Sequence, residues 1–173
     1  MNHETVARAS APPRADAVLA SLYGEYRLAL VRLAMLLVGD RESAEDIVQD
    51  VFSRLHGKRS ETLTPAYIRV CVLNASRSVL RRRRVATKAA LGRTADKPVD
   101  SAETAALLGE SRQEMLTALS RLPRRQREAL VLRYYLDLSD ADIARATRVR
   151  ESTVRSTVSR ALDRLQRELG GKA

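Results

Sequence analysis

LSDADIARATRVRESTVRSTVSRALDRLQREL, residues 138–169, decides how this chain folds. Ser139 is a hydroxyl N-cap three residues ahead of Asp142, close to a capping box. A short helix is therefore expected over residues 140–146, burying Ile143 and Ala144. Residues 147–150 leave room only for a tight connection, and Glu151 or Ser152 opens a longer helix. Short helix, brief turn and longer helix make the helix-turn-helix shape. At about 100° per residue, Val154, Val158, Ala161, Leu162, Leu165 and Leu169 share one apolar stripe. Ser152, Ser156, Ser159, Arg160 and Asp163 lie opposite, with Arg155 and Arg164 on the flanks. Hydroxyl and guanidinium groups both bond phosphate oxygens, and some reach base edges in the major groove. A solvated amphipathic helix has the same pattern, so this segment alone leaves DNA binding and plain solubility both open.

Working outward, residues 111–122 (SRQEMLTALSRL) carry Met115, Leu116, Leu119 and Leu122 at helical spacing, and Pro123 ends that helix. Residues 124–136 (RRQREALVLRYYL) then supply Ala129, Leu130, Val131, Leu132 and Tyr135 for burial. Nearer the N-terminus, Leu22, Tyr26, Leu30, Leu33 and Leu37 form a stripe. Gly39 suits a helix C-cap and Asp40 a restart. A second helix follows with Ala44, Ile47, Val48, Val51, Phe52 and Leu55 inward, closed by Gly57. Thr64 before Pro65 is a good helix start, with Thr as cap and Pro at the first position. That third helix runs to about Arg84. The chain reads as all-α: residues 1–21 a tail without persistent structure, 22–85 one small helical domain, 86–110 a flexible linker, and 111–173 a second domain.

Charge follows the same division. The 173 residues carry 31 Lys plus Arg against 21 Asp plus Glu, a net charge of +10. Residues 22–85 hold 12 basic and 7 acidic side chains, and 111–173 hold 14 and 8. The linker is close to neutral. A basic balance of this kind favours a polyanionic partner. Aromatic residues are only 3%, with no Trp and one Phe, poor material for a base-stacking platform. Cys71 is the sole cysteine and cannot form an internal disulfide, so a reducing compartment is the simple reading. The sequence contains no apolar run long enough for a signal peptide or a membrane span.

RSVLRRRR, residues 77–84, has five arginines in eight residues, at the end of the third helix. Bases late in a helix complement its dipole. That accounts for one or two arginines, while four in a row repel one another and call for an anion. Glu42, Glu45, Asp46 and Asp50 collect instead on the second helix.

On these residues the chain resembles the bacterial sigma factors of the extracytoplasmic-function (ECF) class. Residues 122–165, LPRRQREALVLRYYLDLSDADIARATRVRESTVRSTVSRALDRL, look like region 4, whose helix-turn-helix reads the promoter −35 element. YRLALVRLAMLLVGDRESAEDIVQDVFSRL (26–55) looks like the first segments of region 2. PAYIRVCVLNASRSVLRRRR (65–84) looks like the part that melts and reads the −10 element. The resemblance implies a subunit that binds core RNA polymerase, at the clamp helices of β′ and the flap of β, and directs initiation in the cytoplasm, at the nucleoid. It implies that Asp46, Gln49, Asp50 and Phe52 lie on or beside the surface that docks core polymerase. Asn74 would flank the pocket for a flipped −10 base, with residues 57–64 as its other wall. Extruding a base costs a few kcal/mol that such contacts must offset. Arg77, Arg81, Arg82, Arg83 and Arg84 would hold the backbone nearby. Arg150, Ser152, Thr153, Arg155, Ser156, Ser159 and Arg160 match the −35 contact helix. Many relatives are held inactive by an anti-sigma factor, so that partner class is implied too.

Three positions depart from the family pattern. Arg148 stands where the helix-turn-helix turn usually has Gly, and must tolerate or avoid left-handed backbone. Tyr67 replaces a frequent Trp, and Thr157 a frequent Arg. Two other readings compete. A stand-alone helix-turn-helix regulator would leave residues 22–85 without a role. A nucleic-acid enzyme would need a catalytic grouping, yet His3 and His56 are isolated and the carboxylates of the second helix have no His partner. No cofactor, metal or catalytic residue is expected.

Overall fold

The computed structural model describes residues 15–90 and 110–170, all of them in helices or the short links between them. In the first unit, α1 (Ala15–Val38), α2 (Arg41–Leu55) and α3 (Pro65–Ala90) pack on one another. In the second, α4 (Glu110–Ser120) and α5 (Arg124–Leu130) lead through a π-helical turn (Val131–Tyr135) to α6 (Asp140–Thr147) and α7 (Glu151–Gly170).

Local chemistry sets most helix ends. Gly39 takes φ 89° and its N–H returns to the carbonyl of Met35 at 2.9 Å, closing α1. Asp40 then caps α2, its carboxylate accepting from the Ser43 N–H at 2.8 Å. Gly57, at φ 77°, follows the end of α2. Thr64 caps α3, its hydroxyl accepting from the N–H of Tyr67 at 3.1 Å. Ser139 caps α6 by accepting from the N–H of Asp142 at 3.1 Å, as its spacing suggests. The Ser139 hydroxyl also donates to the Asp142 carboxylate at 2.5 Å. That bond, ahead of the nearby Arg145 guanidinium, holds the Asp142 carboxyl below its ordinary pKa.

Two expectations are corrected. The proposed tail is too long: α1 begins at Ala15, because Leu19 packs into the core at 7% exposure and draws the preceding turn into helix. The linker is likewise shorter than 86–110, since the backbone of α3 stays helical to Ala90. The tail reading for 1–14 and the linker reading for 91–109 fall outside the described residues.

The two units do not stand apart. One continuous cluster of buried apolar residues runs from Leu19 in α1 to Ala161 in α7. Its bridge is α1, which touches α4, α5 and the π turn as well as α2 and α3. The run from Arg127 to Leu132 is buried on every side of its helix, more than a lone helix-turn-helix could cover. No described helix is long and apolar enough to cross a membrane.

Candidate nucleic-acid interface

On α7 the buried and exposed sets separate cleanly. Val154, Val158 and Ala161 are buried, and Leu165 packs against the same core. Leu162 and Leu169 of the proposed stripe are only half-covered. Arg150, just ahead of the helix, and Ser152, Thr153, Arg155, Ser156, Ser159 and Arg160 on it are all exposed. The Arg160 side chain lies along the helix, donating to the Ser156 carbonyl at 3.0 Å and hydroxyl at 3.4 Å. Asp140 helps fix the angle of the unit, pairing with Arg133 of the π turn at 3.0 Å.

The connection between α6 and α7 turns on Arg148, at φ 57° and ψ 45°. Its N–H and that of Val149 both return to the carbonyl of Ala144, the latter at 3.1 Å. This is a Schellman-type close, whose left-handed residue is usually Gly. The arginine therefore adopts the glycine geometry and does not evade it.

On α3 the outward face presents Tyr67, Val70, Asn74, Arg81 and Val85, and Arg77 lies along the same row, half-buried. Asn74 is exposed, and its side-chain carbonyl accepts from Arg77 at 3.3 Å. The turn at Ser60–Thr62 packs on α1 and delivers the chain to Thr64. Asn74 lies about 15 Å further along the helix axis.

The arginine run divides. Arg81, Arg82 and Arg84 are exposed, but Arg83 turns inward. Its guanidinium donates to the Val38 carbonyl at 3.2 Å, to the Asp40 carboxylate at 2.8 Å and to the Ser43 hydroxyl. It thus ties α3 to the corner between α1 and α2, and its reading as a DNA contact is corrected. Burial alone would raise the Asp40 pKa, but bonds from Ser43 and then Arg83 outweigh it and hold the carboxyl below its ordinary value.

On α2 the acidic row faces away from the core. Asp46, Gln49 and Asp50 are exposed, and Asp50 pairs with Arg54 at 2.7 Å. Phe52 is not on that surface. It is 7% exposed and meets the Tyr23 ring edge-on, centroids 4.9 Å apart. Its helical angle turns it toward α1, so it supports the acidic row from beneath.

Sequence patterning missed the seam between the units. Arg77 pairs with Glu128 of α5, and the Tyr135 hydroxyl donates to the Ala29 carbonyl at 2.9 Å. Burial pushes the Tyr135 phenol up against the pull of Arg32 and Arg69. The one available signal was the unbroken burial-prone run after Arg127.

Two family models match, Sigma-70 region 2 over residues 22–85 and Sigma-70 region 4 over 112–165. The RNA polymerase sigma-E factor of Streptomyces coelicolor is 31% identical over 145 residues, covering 82% of this chain and 80% of that protein. The chain belongs to the ECF sigma factors. The ECF RNA polymerase sigma factor SigM of Mycobacterium tuberculosis is 32% identical over 153 residues, covering 86% and 76%. Among solved structures, the sigma factor RpoE of Bartonella quintana, in complex with the anti-sigma factor NepR, aligns with TM-score 0.66 and 25% identity. That alignment covers 88% of this chain and 99% of RpoE. This ECF sigma factor is a promoter-recognising transcription initiation factor, with region 2 on α1–α3 and region 4 on α4–α7.

Proposed function

We propose that this ECF sigma factor divides its work among three surfaces. Exposed Asp46, Gln49 and Asp50 on α2 dock core RNA polymerase at the β′ clamp helices, and region 4 meets the β flap. Asn74 borders the site of an extruded −10 base, and Arg77, Arg81, Arg82 and Arg84 hold the adjoining phosphates. Arg150, Ser152, Thr153, Arg155, Ser156, Ser159 and Arg160 meet the −35 element in the major groove. The observation that carries this reading is the exposure of all seven region 4 residues beside a buried apolar stripe. The factor acts by binding, with no reaction of its own, and works in the cytoplasm at the nucleoid. An anti-sigma factor, the class of partner bound to the Bartonella quintana RpoE, would act on this chain by covering the polymerase-binding surfaces.

The test is reconstitution. Purified chain is added to core polymerase and genomic fragments, and transcript start sites are mapped. Starts from promoters sharing −35 and −10 sequences support the reading. Tight sequence-specific DNA binding with no association with core polymerase overturns it in favour of a stand-alone regulator.

A further inference from the structure

The arginines of the region 4 row differ in their surroundings. Among the described residues, Arg155 is the only one of Arg150, Arg155 and Arg160 within ion-pair reach of a carboxylate, and it has two. Its Nη1 lies 4.0 Å from Oδ2 of Asp140 and 3.9 Å from Oε2 of Glu151. Glu151 opens α7 one helical turn before Arg155, whereas Asp140 comes from the first turn of α6. Asp140 is itself held from behind. Its side chain is 18% exposed, and Arg133 of the π turn meets its Oδ1 at 3.0 Å, off the hydrogen-bonding direction. Arg133 is fixed in turn, donating to the Leu138 carbonyl at 3.2 Å. From the π turn outward, Arg133, Asp140, Arg155 and Glu151 thus alternate in sign.

Two consequences follow for Arg155. The two cations and two anions cancel, so this part of the row offers a phosphate little net attraction. Both carboxylates also draw on the same nitrogen, Nη1, from beyond hydrogen-bond distance. They orient the guanidinium while leaving its donors unspent, and Nε and Nη2 form the edge turned away from them. Two adjacent N–H groups on a guanidinium match O6 and N7 of guanine in the major groove. A side chain already drawn to one position also loses less rotamer freedom on binding. The surroundings of Arg155 therefore favour a directional contact with a base over a diffuse one with the backbone.

We propose that Asp140 and Glu151 are positioning residues that set promoter specificity, holding Arg155 to the edge of one guanine in the −35 element and away from the neighbouring phosphates. The proposal rests on the assignment of the α7 row to that element. Asp140 acts through Arg155 and touches no DNA. Arg150, with no carboxylate beside it, is left to the phosphates. Removing either carboxylate charge gives Arg155 a net attraction to the backbone, so discrimination falls as general affinity for DNA rises.

The experiment uses the full chain bound to core polymerase. Duplexes carry the promoter sequence shared by its mapped start sites, that sequence with each −35 base pair replaced in turn, or a scrambled −35 element. Affinities are read across a salt series. Arg155→Ala is expected to lose discrimination at one G·C pair by about 5- to 100-fold and to keep the wild-type salt slope. Arg150→Ala should instead weaken binding on every duplex and lower the slope by about 0.9. Asp140→Asn and Glu151→Gln should each reduce discrimination at the Arg155 pair by about three- to tenfold, as expected of coupled neighbours. On the scrambled duplex both should bind more tightly, with a slope steeper by up to about 0.9. In an Arg155→Ala background neither substitution should have a further effect on discrimination. Should Asp140→Asn fail to fold, Glu151→Gln carries the test, since Glu151 is exposed. Equal losses on every duplex, a lowered slope for Arg155→Ala, or unchanged discrimination in the carboxylate variants overturns the proposal and leaves the −35 assignment standing. Start sites that share no −35 sequence overturn that assignment, and the proposal with it.

Discussion

Arg83 reaches back 43 positions along the chain to the carboxylate of Asp40, and this pair separates it from the three arginines around it. Three of the four face solvent; the fourth closes the corner where α1 ends and α2 begins.

Replacing Arg83 by Ala should therefore lower stability, by about 1.5–3 kcal/mol, the range for hydrogen bonds to charged groups. Arg81→Ala, Arg82→Ala and Arg84→Ala should each change it by less than about 0.5 kcal/mol. Denaturant unfolding gives the first comparison. In DNA binding the order reverses, each of the three exposed arginines reducing the salt slope by about 0.9 if it meets a phosphate.

Asp40 makes the same corner sensitive to acid. Its pKa is lower in the folded chain than its ordinary 3.8, so the folded state holds the ionised form more tightly. The resulting stabilisation is present above that ordinary value and disappears as pH falls through the depressed one. Asp40→Asn should be less stable than the wild type at pH 7, and the gap should narrow steadily below about pH 4. Thermal unfolding between pH 7 and pH 2.5 measures it. A gap that widened in acid would contradict the pairing.

Arg148 occupies a left-handed turn that costs an L-residue about 1–2 kcal/mol. Glycine removes that strain but adds freedom to the unfolded chain. Arg148→Gly should accordingly raise stability by about 0.5–1 kcal/mol, while Arg148→Val, β-branched at the same φ, should lower it. Paired unfolding curves decide; a destabilised glycine variant would mean the turn has another geometry.

Phe52 and Asp46 should respond in opposite ways. Phe52→Ala empties a packed position against Tyr23 and should cost about 3–5 kcal/mol. Asp46→Lys, on the exposed face, should leave stability within about 0.5 kcal/mol of wild type. Yet it should abolish co-elution with core polymerase.

The parts legible in the sequence are those with a local cause. Asp40, Thr64 and Ser139 announce helix starts because each side chain caps an N–H within three residues. The α7 stripe and its exposed arginines and hydroxyls follow from helical angle alone. The α1 start was hidden, because burial of Leu19 depends on a core assembled from distant residues. Arg83 looked like its neighbours because nothing adjacent reveals a partner at Asp40. The Arg77–Glu128 pair was invisible for the same reason, spanning 51 positions. Charge counting points to an external anion for both arginines, but it cannot show the internal carboxylate that each also holds.

The clean partition of α7 has an evolutionary consequence. Val154, Val158 and Ala161 hold the helix in place while the residues between them carry the outward hydroxyls and guanidiniums. Substitutions at exposed Ser152, Ser156 or Ser159 leave the packing untouched; under the proposed −35 role of this row, target choice is free to drift without loss of a foldable protein. Diversity in target choice and constancy of architecture can then coexist on one 20-residue helix.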